Sequence, residues 1–175
     1  MILRPLSISG MNIIDNFLDK DYHQQLLSIL NGWEFPWYYQ DTLTHGSHAV
    51  QAHGFNHWLT HEDSPVFGDL VASMQQVINA SECFRVRADM TLYNPEGYRH
   101  EFHVDSEDAH MVCIYYCNDS DGDTIILGDP TDSRFQRVQP KANRLLIFNG
   151  QHMHTGHSPS RHKNRILINA NFSTY

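Results

Sequence analysis

The stretch EFHVDSEDAH, residues 101 to 110, holds two histidines and four carboxylates. In an extended strand, side chains alternate between faces. His103 and Asp105 therefore project to the same side, about 7 Å apart along the backbone, near enough to converge on one ion, while Val104 points away. An isolated H-x-D arises often by chance, and a strand-end pair of this kind is ordinarily a surface hydrogen bond, so a metal site needs a third donor. The run QHMHTGHSPSRHKNRILINANF offers His152, His154, His157 and His162. His154 is preferred because Gly156 and Pro159 mark a turn after it that lets the backbone bend and aim the imidazole inward. Arg165 opens the apolar strand RILINANF, where a guanidinium beside Ile and Leu suggests a specific anionic partner in a pocket.

Two imidazoles and one carboxylate that leave half an octahedron open form the facial set suited to non-haem Fe(II). Rival donors exist. His100 lies three residues before His103, on the opposite face of a strand, and His110 follows a turn. His152 shares parity with His154, but the H-T-G that follows and the spacing to Arg165 favour His154. Asp119, Asp121 and Asp123 around Gly122 faintly resemble a calcium loop; the later glutamate of that pattern is missing, and an Asp-Gly hairpin turn explains the run better. Glu101, Glu107, Asp108 and His110 read as a polar rim of the pocket mouth.

These residues must be positioned by one domain, since 175 residues suffice for one core and are short for two. The helices come first. The pattern predicts a short strand in MNIID and a helix from about Asp19 to Asn31 stopped by Gly32. A second helix has Ser64 as N-cap, Pro65 in its first turn and an apolar stripe of Phe67, Leu70, Val71, Met74, Val77 and Ile78. Residues 33–62 carry three tryptophans and five histidines without a clean period. That segment is expected to be a substrate-facing lid, with Trp37 and Trp58 in it, or a cover for the open side of a sheet. From Phe84 onward the chain reads as short strands, FRVRADMTLY, YRHEFHVD, MVCIYYC, DTIILG, RFQRV, RLLIF and RILINANF, a succession that argues for a sandwich or barrel.

A net charge of -8 disfavours nucleic acid as a partner. No apolar run approaches the roughly 20 residues of a membrane span, and MILRPLSISG lacks a signal peptide's apolar core, so a cytoplasmic protein is expected. Cys113 and Cys117 lie roughly 13 Å apart along one strand and cannot pair. With Cys83 they are expected to be reduced and buried.

Several elements in order extend the metal reading: TLY ending ten residues before His103, H-V-D at 103–105, V-C-I-Y-Y-C-N at 112–118, G-D-T at 122–124, P-K-A-N-R-L-L-I-F at 140–148, His154, and Arg165 eleven residues beyond it. In these the chain resembles the 2-oxoglutarate- and Fe(II)-dependent dioxygenases, in particular their prolyl 4-hydroxylase-like branch, over roughly residues 84–174. The resemblance implies a mainly β protein with flanking helices (α+β), a double-stranded β-helix of jelly-roll or cupin-like form. Residues 84–175 would be its core, with 1–83 as helical support and lid. It further implies Fe(II) bound by His103, Asp105 and His154. Arg165, helped by Tyr116, would hold the distal carboxylate of 2-oxoglutarate, and Tyr93 would line the same pocket. Dioxygen is then the second cosubstrate and ascorbate a supporting reductant. The implied reaction is C–H hydroxylation, of a prolyl residue in a protein or peptide by the branch-level match, or of a free amino acid or small metabolite. The alkylation-repair branch, which acts on nucleobases, carries a second arginine where this chain has Asn171. A cupin-like barrel that only binds metal or small acids is the non-enzymatic alternative.

Overall fold

The computed structural model describes residues 10–44, 49–59, 65–128 and 135–174. Helix α1 (Lys20–Leu30) begins where Asp19 accepts a hydrogen bond from the Tyr22 amide at 2.9 Å, which satisfies one of the free donors of the first turn. It ends at Asn31. Helix α2 (Pro65–Ile78) starts on its proline, and the expected cap Ser64 lies outside the described residues. The stripe Phe67, Leu70 and Met74 is buried and shares one core with Leu26 and Leu30 of α1. No helix among the described residues is long and apolar enough to cross a membrane.

In chain order the strands are β1 (Asn12–Asp15), β2 (Tyr38–Gln40), β3 (Gly54–Trp58), β4 (Cys83–Leu92), β5 (His110–Tyr116), β6 (Thr124–Leu127), β7 (Phe135–Val138), β8 (Arg144–Asn149), β9 (His154–Gly156) and β10 (Asn164–Ser173). The larger sheet runs β1-β8-β5-β10-β4-β3-β2 and the smaller β7-β6-β9, every pairing antiparallel. From β5 the chain crosses to the smaller sheet for β6 and β7, returns for β8, crosses for β9 and returns for β10. This alternation winds a double-stranded β-helix.

Strand parity sorts the core. Val112, Ile114 and Tyr116 of β5 meet Leu146, Phe148, Leu167, Ile126 and Val138 in the space between the sheets. Met111, Cys113, Tyr115 and Cys117 face the other way, onto the helices. All three cysteines are free, and burial pushes the Cys113 and Cys117 thiols up, away from the reactive thiolate.

Four expectations change. The first 83 residues do more than support: β1, β2 and β3 are strands of the larger sheet. The aromatic segment 33–62 is consequently in part a sheet edge, and only Leu43 and Thr44 of its described residues reach the central cavity. YRHEFHVD is not a strand. Only Arg99 and His103 form isolated bridges, to His157 and His154, because the neighbouring β9 is three residues long and cannot sustain a ladder. The Asp119–Asp123 turn is a crossover between sheets rather than a hairpin. Its carboxylates serve separate partners: Asp119 takes the Ala142 amide, Asp123 pairs with Arg137, and Asp121 gathers Ser160, Arg161 and His162.

Candidate functional site

His103, Asp105 and His154 converge, with one donor atom of each within 4.8 Å of the others. Nε2 of His103 stands 3.7 Å from Asp105 Oδ1, and Nε2 of His154 stands 3.8 Å from Oδ2. His154 arrives from β9; the reciprocal backbone bonds His103 N–H to His154 O (3.0 Å) and His154 N–H to His103 O (2.9 Å) lock the two segments together. In both imidazoles Nδ1 lies 3.1 Å from a backbone carbonyl two residues earlier, Glu101 O and His152 O. A carbonyl only accepts, so each Nδ1 carries the hydrogen and each Nε2 presents its lone pair towards the shared space.

The carboxylate is held from behind. Arg85 Nη1 pairs with Asp105 Oδ1 at 2.9 Å, and Asn169 Nδ2 donates to Oδ2 at 2.9 Å. Burial alone would raise the Asp105 carboxyl, but His154, Arg85, the Asn169 amide and His103 outweigh it and keep it well below the usual carboxylate range. Burial drives His154 the other way, down to about 4, only partly opposed by Asp105. An ionised carboxylate between neutral imidazoles is the donor state that a divalent ion needs. Two nitrogens, one oxygen and space on one side fit a first-row ion such as Fe(II).

The two imidazoles of the triad border a cavity of about 70 Å³, several times the roughly 10–15 Å³ that one water requires. Ile114 and Leu167 form its apolar wall, and Arg165 lines it together with His103 and His154. The Arg165 side chain is buried. Nη2 donates to Thr124 Oγ1 at 2.7 Å, Nε has no partner, and no salt bridge to this guanidinium occurs among the described residues. Two glycines make room for it: a Cβ on Gly156 would lie 2.8 Å from Nη1, and one on Gly122 would lie 3.0 Å from Cδ. A buried cation without a counter-charge is unfavourable unless an anion completes it.

Of the predicted residues, His103, His154 and Arg165 therefore share one cavity, and Asp105 stands beside the two imidazoles. Tyr116 stands just behind it, its hydroxyl donating to Thr124 Oγ1 at 2.6 Å and its ring centroid 5.8 Å from the Arg165 guanidinium carbon. It acts through Arg165 and Thr124, not on the cavity surface. Tyr93 is a correction: it is 54% exposed and outside the cavity lining. β4 ends at Leu92, so alternation no longer aims Tyr93 inward, and Thr91, opposite Arg165 in the register, takes that place. His110 is no rim residue. It is buried, with Nδ1 2.7 Å from Asp108 O and its ring against Gly150. Glu101, Glu107 and Asp108 are exposed.

Sequence reasoning missed Arg85, Asn169, Thr124, Asp89 and His100. Three of these were signalled by alternation: Arg85 and Asp89 belong, with Arg87 and Thr91, to a polar inner face of β4, and Asn169 shares the face of Arg165 on β10; Thr124 was visible only as the last residue of G-D-T. His100 was assigned the wrong face because strand parity was applied where there is no strand.

A family model described as the 2OG-Fe(II) oxygenase superfamily matches residues 88–173. No curated protein sequence matches the chain. Among solved structures, similar folds include a prolyl hydroxylase from Trichoplax adhaerens in complex with a hypoxia inducible factor oxygen degradation domain peptide fragment, with 15% identity, 94% of this chain and 83% of that one covered, and a TM-score of 0.74. A prolyl-4-hydroxylase from Pseudomonas putida aligns with 16% identity over 94% and 92% of the two chains, with a TM-score of 0.73. HygX from Streptomyces hygroscopicus, with nickel and 2-oxoglutarate bound, aligns with 15% identity over 96% and 84%, with a TM-score of 0.62. At these identities the likeness is one of fold.

Proposed function

The chain belongs to the 2OG-Fe(II) oxygenase superfamily, and from that premise we propose that it couples oxidative decarboxylation of 2-oxoglutarate to hydroxylation of a C–H bond, of a prolyl residue in a protein or peptide. In balance, 2-oxoglutarate, dioxygen and the C–H substrate give succinate, carbon dioxide and the C–OH product. The observation that carries the reading is the buried Arg165 guanidinium, without an ion-pair partner among the described residues, in the same cavity as the His103 and His154 imidazoles that converge with Asp105.

The three donors would hold Fe(II), which when bound supplies the dioxygen chemistry that no side chain offers. The remaining tasks belong to the chain. Arg165 pairs with the distal carboxylate of the keto acid. Thr124 Oγ1, already accepting from Tyr116 and Arg165, keeps its own hydrogen free to donate. Ile114 and Leu167 keep water from the acid's methylenes. Arg85 and Asn169 fix the two oxygens of Asp105.

The prolyl assignment is supported by the likeness in fold to two prolyl hydroxylases, one of them bound to a peptide fragment, and by a metal site that opens on one side. The His103 side chain is 35% exposed, against 2% for Asp105 and 5% for His154. A second reading, a free amino acid, is favoured by Arg87 and Asp89, which line the cavity as an opposite-charge pair at 2.7 Å and offer a partner for each end of a zwitterion. The deciding experiment incubates the protein with Fe(II), ascorbate and 2-oxoglutarate and follows succinate, then searches proline-containing peptides and free amino acids for a gain of one oxygen by mass. Absence of 2-oxoglutarate-dependent succinate removes the oxygenase reading. Oxygen gain on free amino acids alone moves the substrate to the second.

Trp58 separates substrate handling from cosubstrate handling. It covers Arg85 and Arg87, their guanidinium carbons 5.3 and 5.9 Å from its ring, while remaining exposed. Trp37 is instead tied to the end of α1 through Leu30 O at 3.0 Å. Trp58→Ala is expected to reduce hydroxylation of substrate by about fivefold or more, the scale of a lost cation–π and packing contact, while succinate release without substrate changes little. Equal losses in the two assays would make Trp58 a structural support.

A further inference from the structure

His100 lines the cavity but belongs to neither the metal donors nor the Arg165 network. Its side chain is buried, and neither ring nitrogen has a hydrogen-bond partner among the described residues. A neutral imidazole has one N–H and one lone pair, and burying both unmatched is unfavourable unless something in the cavity completes them.

The backbone fixes where the ring can act. His100 N–H donates to Gly156 O at 3.0 Å, and its carbonyl accepts from Thr155 Oγ1 at 2.7 Å. Tyr98 packs edge-on against the ring with centroids 5.0 Å apart. Gly156 is also the residue on which the Arg165 guanidinium rests. Through Gly156, His100 is thereby anchored beside Arg165 in the cavity that both line.

We propose that His100 is a second anchor for 2-oxoglutarate, its imidazole N–H donating to the distal carboxylate that Arg165 pairs with. This rests on the reading that the cavity takes 2-oxoglutarate. Burial, reinforced by the charge of Arg165, pushes the His100 imidazole down to about 4, so at neutral pH it is a donor that adds no second cation. An N–H fixed in this place makes the cavity selective: an acid without the distal carboxylate leaves both His100 and Arg165 unmatched.

The test uses the whole chain loaded with Ni(II), which keeps the site from turning over, titrated calorimetrically with 2-oxoglutarate and with 2-oxopentanoate, the acid of equal chain length lacking the distal carboxylate. His100→Leu is expected to weaken 2-oxoglutarate about tenfold or more, the scale of a hydrogen bond to a charged group. Ni(II) affinity and 2-oxopentanoate binding should remain as in the unmodified protein. His100→Gln, which keeps an N–H, should recover part of the loss. In the unmodified protein labelled with 15N-histidine, the His100 ring signals should shift on adding 2-oxoglutarate and not 2-oxopentanoate, a readout that requires no variant. Unchanged 2-oxoglutarate affinity in His100→Leu, equal weakening of both acids, or unmoved ring signals overturns the proposal. Failure of the unmodified Ni(II) protein to bind 2-oxoglutarate overturns the cosubstrate reading beneath it as well.

Discussion

Asp105→Ala is expected to abolish succinate release and to cost more metal affinity than either histidine replacement. Asp105 supplies the one negative charge of the donor set. Without it, Arg85 Nη1, now 2.9 Å from that carboxylate, faces two imidazoles with nothing to neutralise it, and a dication would enter a field that repels it. Removing one member of a buried ion pair costs about 3–5 kcal/mol. Asp105→Ala should therefore also lower the melting temperature. His103→Ala, at a more exposed side chain, should abolish turnover with a smaller loss of stability. Metal titration, succinate release and thermal unfolding of the two variants measure these effects. Undiminished succinate from both would remove the triad assignment.

Arg165→Ala is expected to weaken 2-oxoglutarate by about a hundredfold or more, the scale of a lost pair of charge-assisted hydrogen bonds, with metal affinity nearly intact because Arg165 touches none of the three donors. Lysine should not rescue it. A point charge cannot reproduce the planar fork, and the glycines beneath the guanidinium fit that shape. In the ligand-free protein the sign reverses: exchanging a buried cation that has no ion pair among the described residues for an apolar side chain removes a desolvation penalty, so Arg165→Met should melt at a higher temperature than the parent when no keto acid is present. Parallel loss of metal and keto-acid affinity in Arg165→Ala would show a structural guanidinium rather than a recognition group.

The sequence made legible the parts of the site that lie on regular strands, and also His103 and Asp105, which converge although their segment is not a strand. Arg165 was found because β10 is long and apolar, so a charged residue on it stands out. The two faces of β5 could be separated because period-two alternation holds over seven residues. His154 was found by its turn. What could not be read depends on pairing rather than period. Alternation puts Arg85 on the inner face of β4 but does not name its partner: it reaches Asp105 across twenty residues of chain because the fold lays the segment after β4 back across the barrel. β2 and β3 hide in an aromatic run too short and mixed to alternate, and they become strands only because β4 offers an open edge. Tyr93 and His100 failed for one reason: both lie in the segment between β4 and β5 that forms no strand, where counting by twos no longer tells which way a side chain points.

The segment carrying His103 and Asp105 is fastened to β9 by isolated bridges, not by a ladder. A segment so held opens locally at far lower free energy than the strands of the core, so in the metal-free protein the amides of residues 99–105 should exchange with solvent well before those of β5 and β10. An ion bound to His103, Asp105 and His154 would tie that segment to β9 by bonds that opening must break, and the exchange of these amides should slow in proportion to metal occupancy. Metal binding would then be a clasp on the mouth of the barrel as well as a step towards catalysis, its closure readable residue by residue in the absence of any substrate.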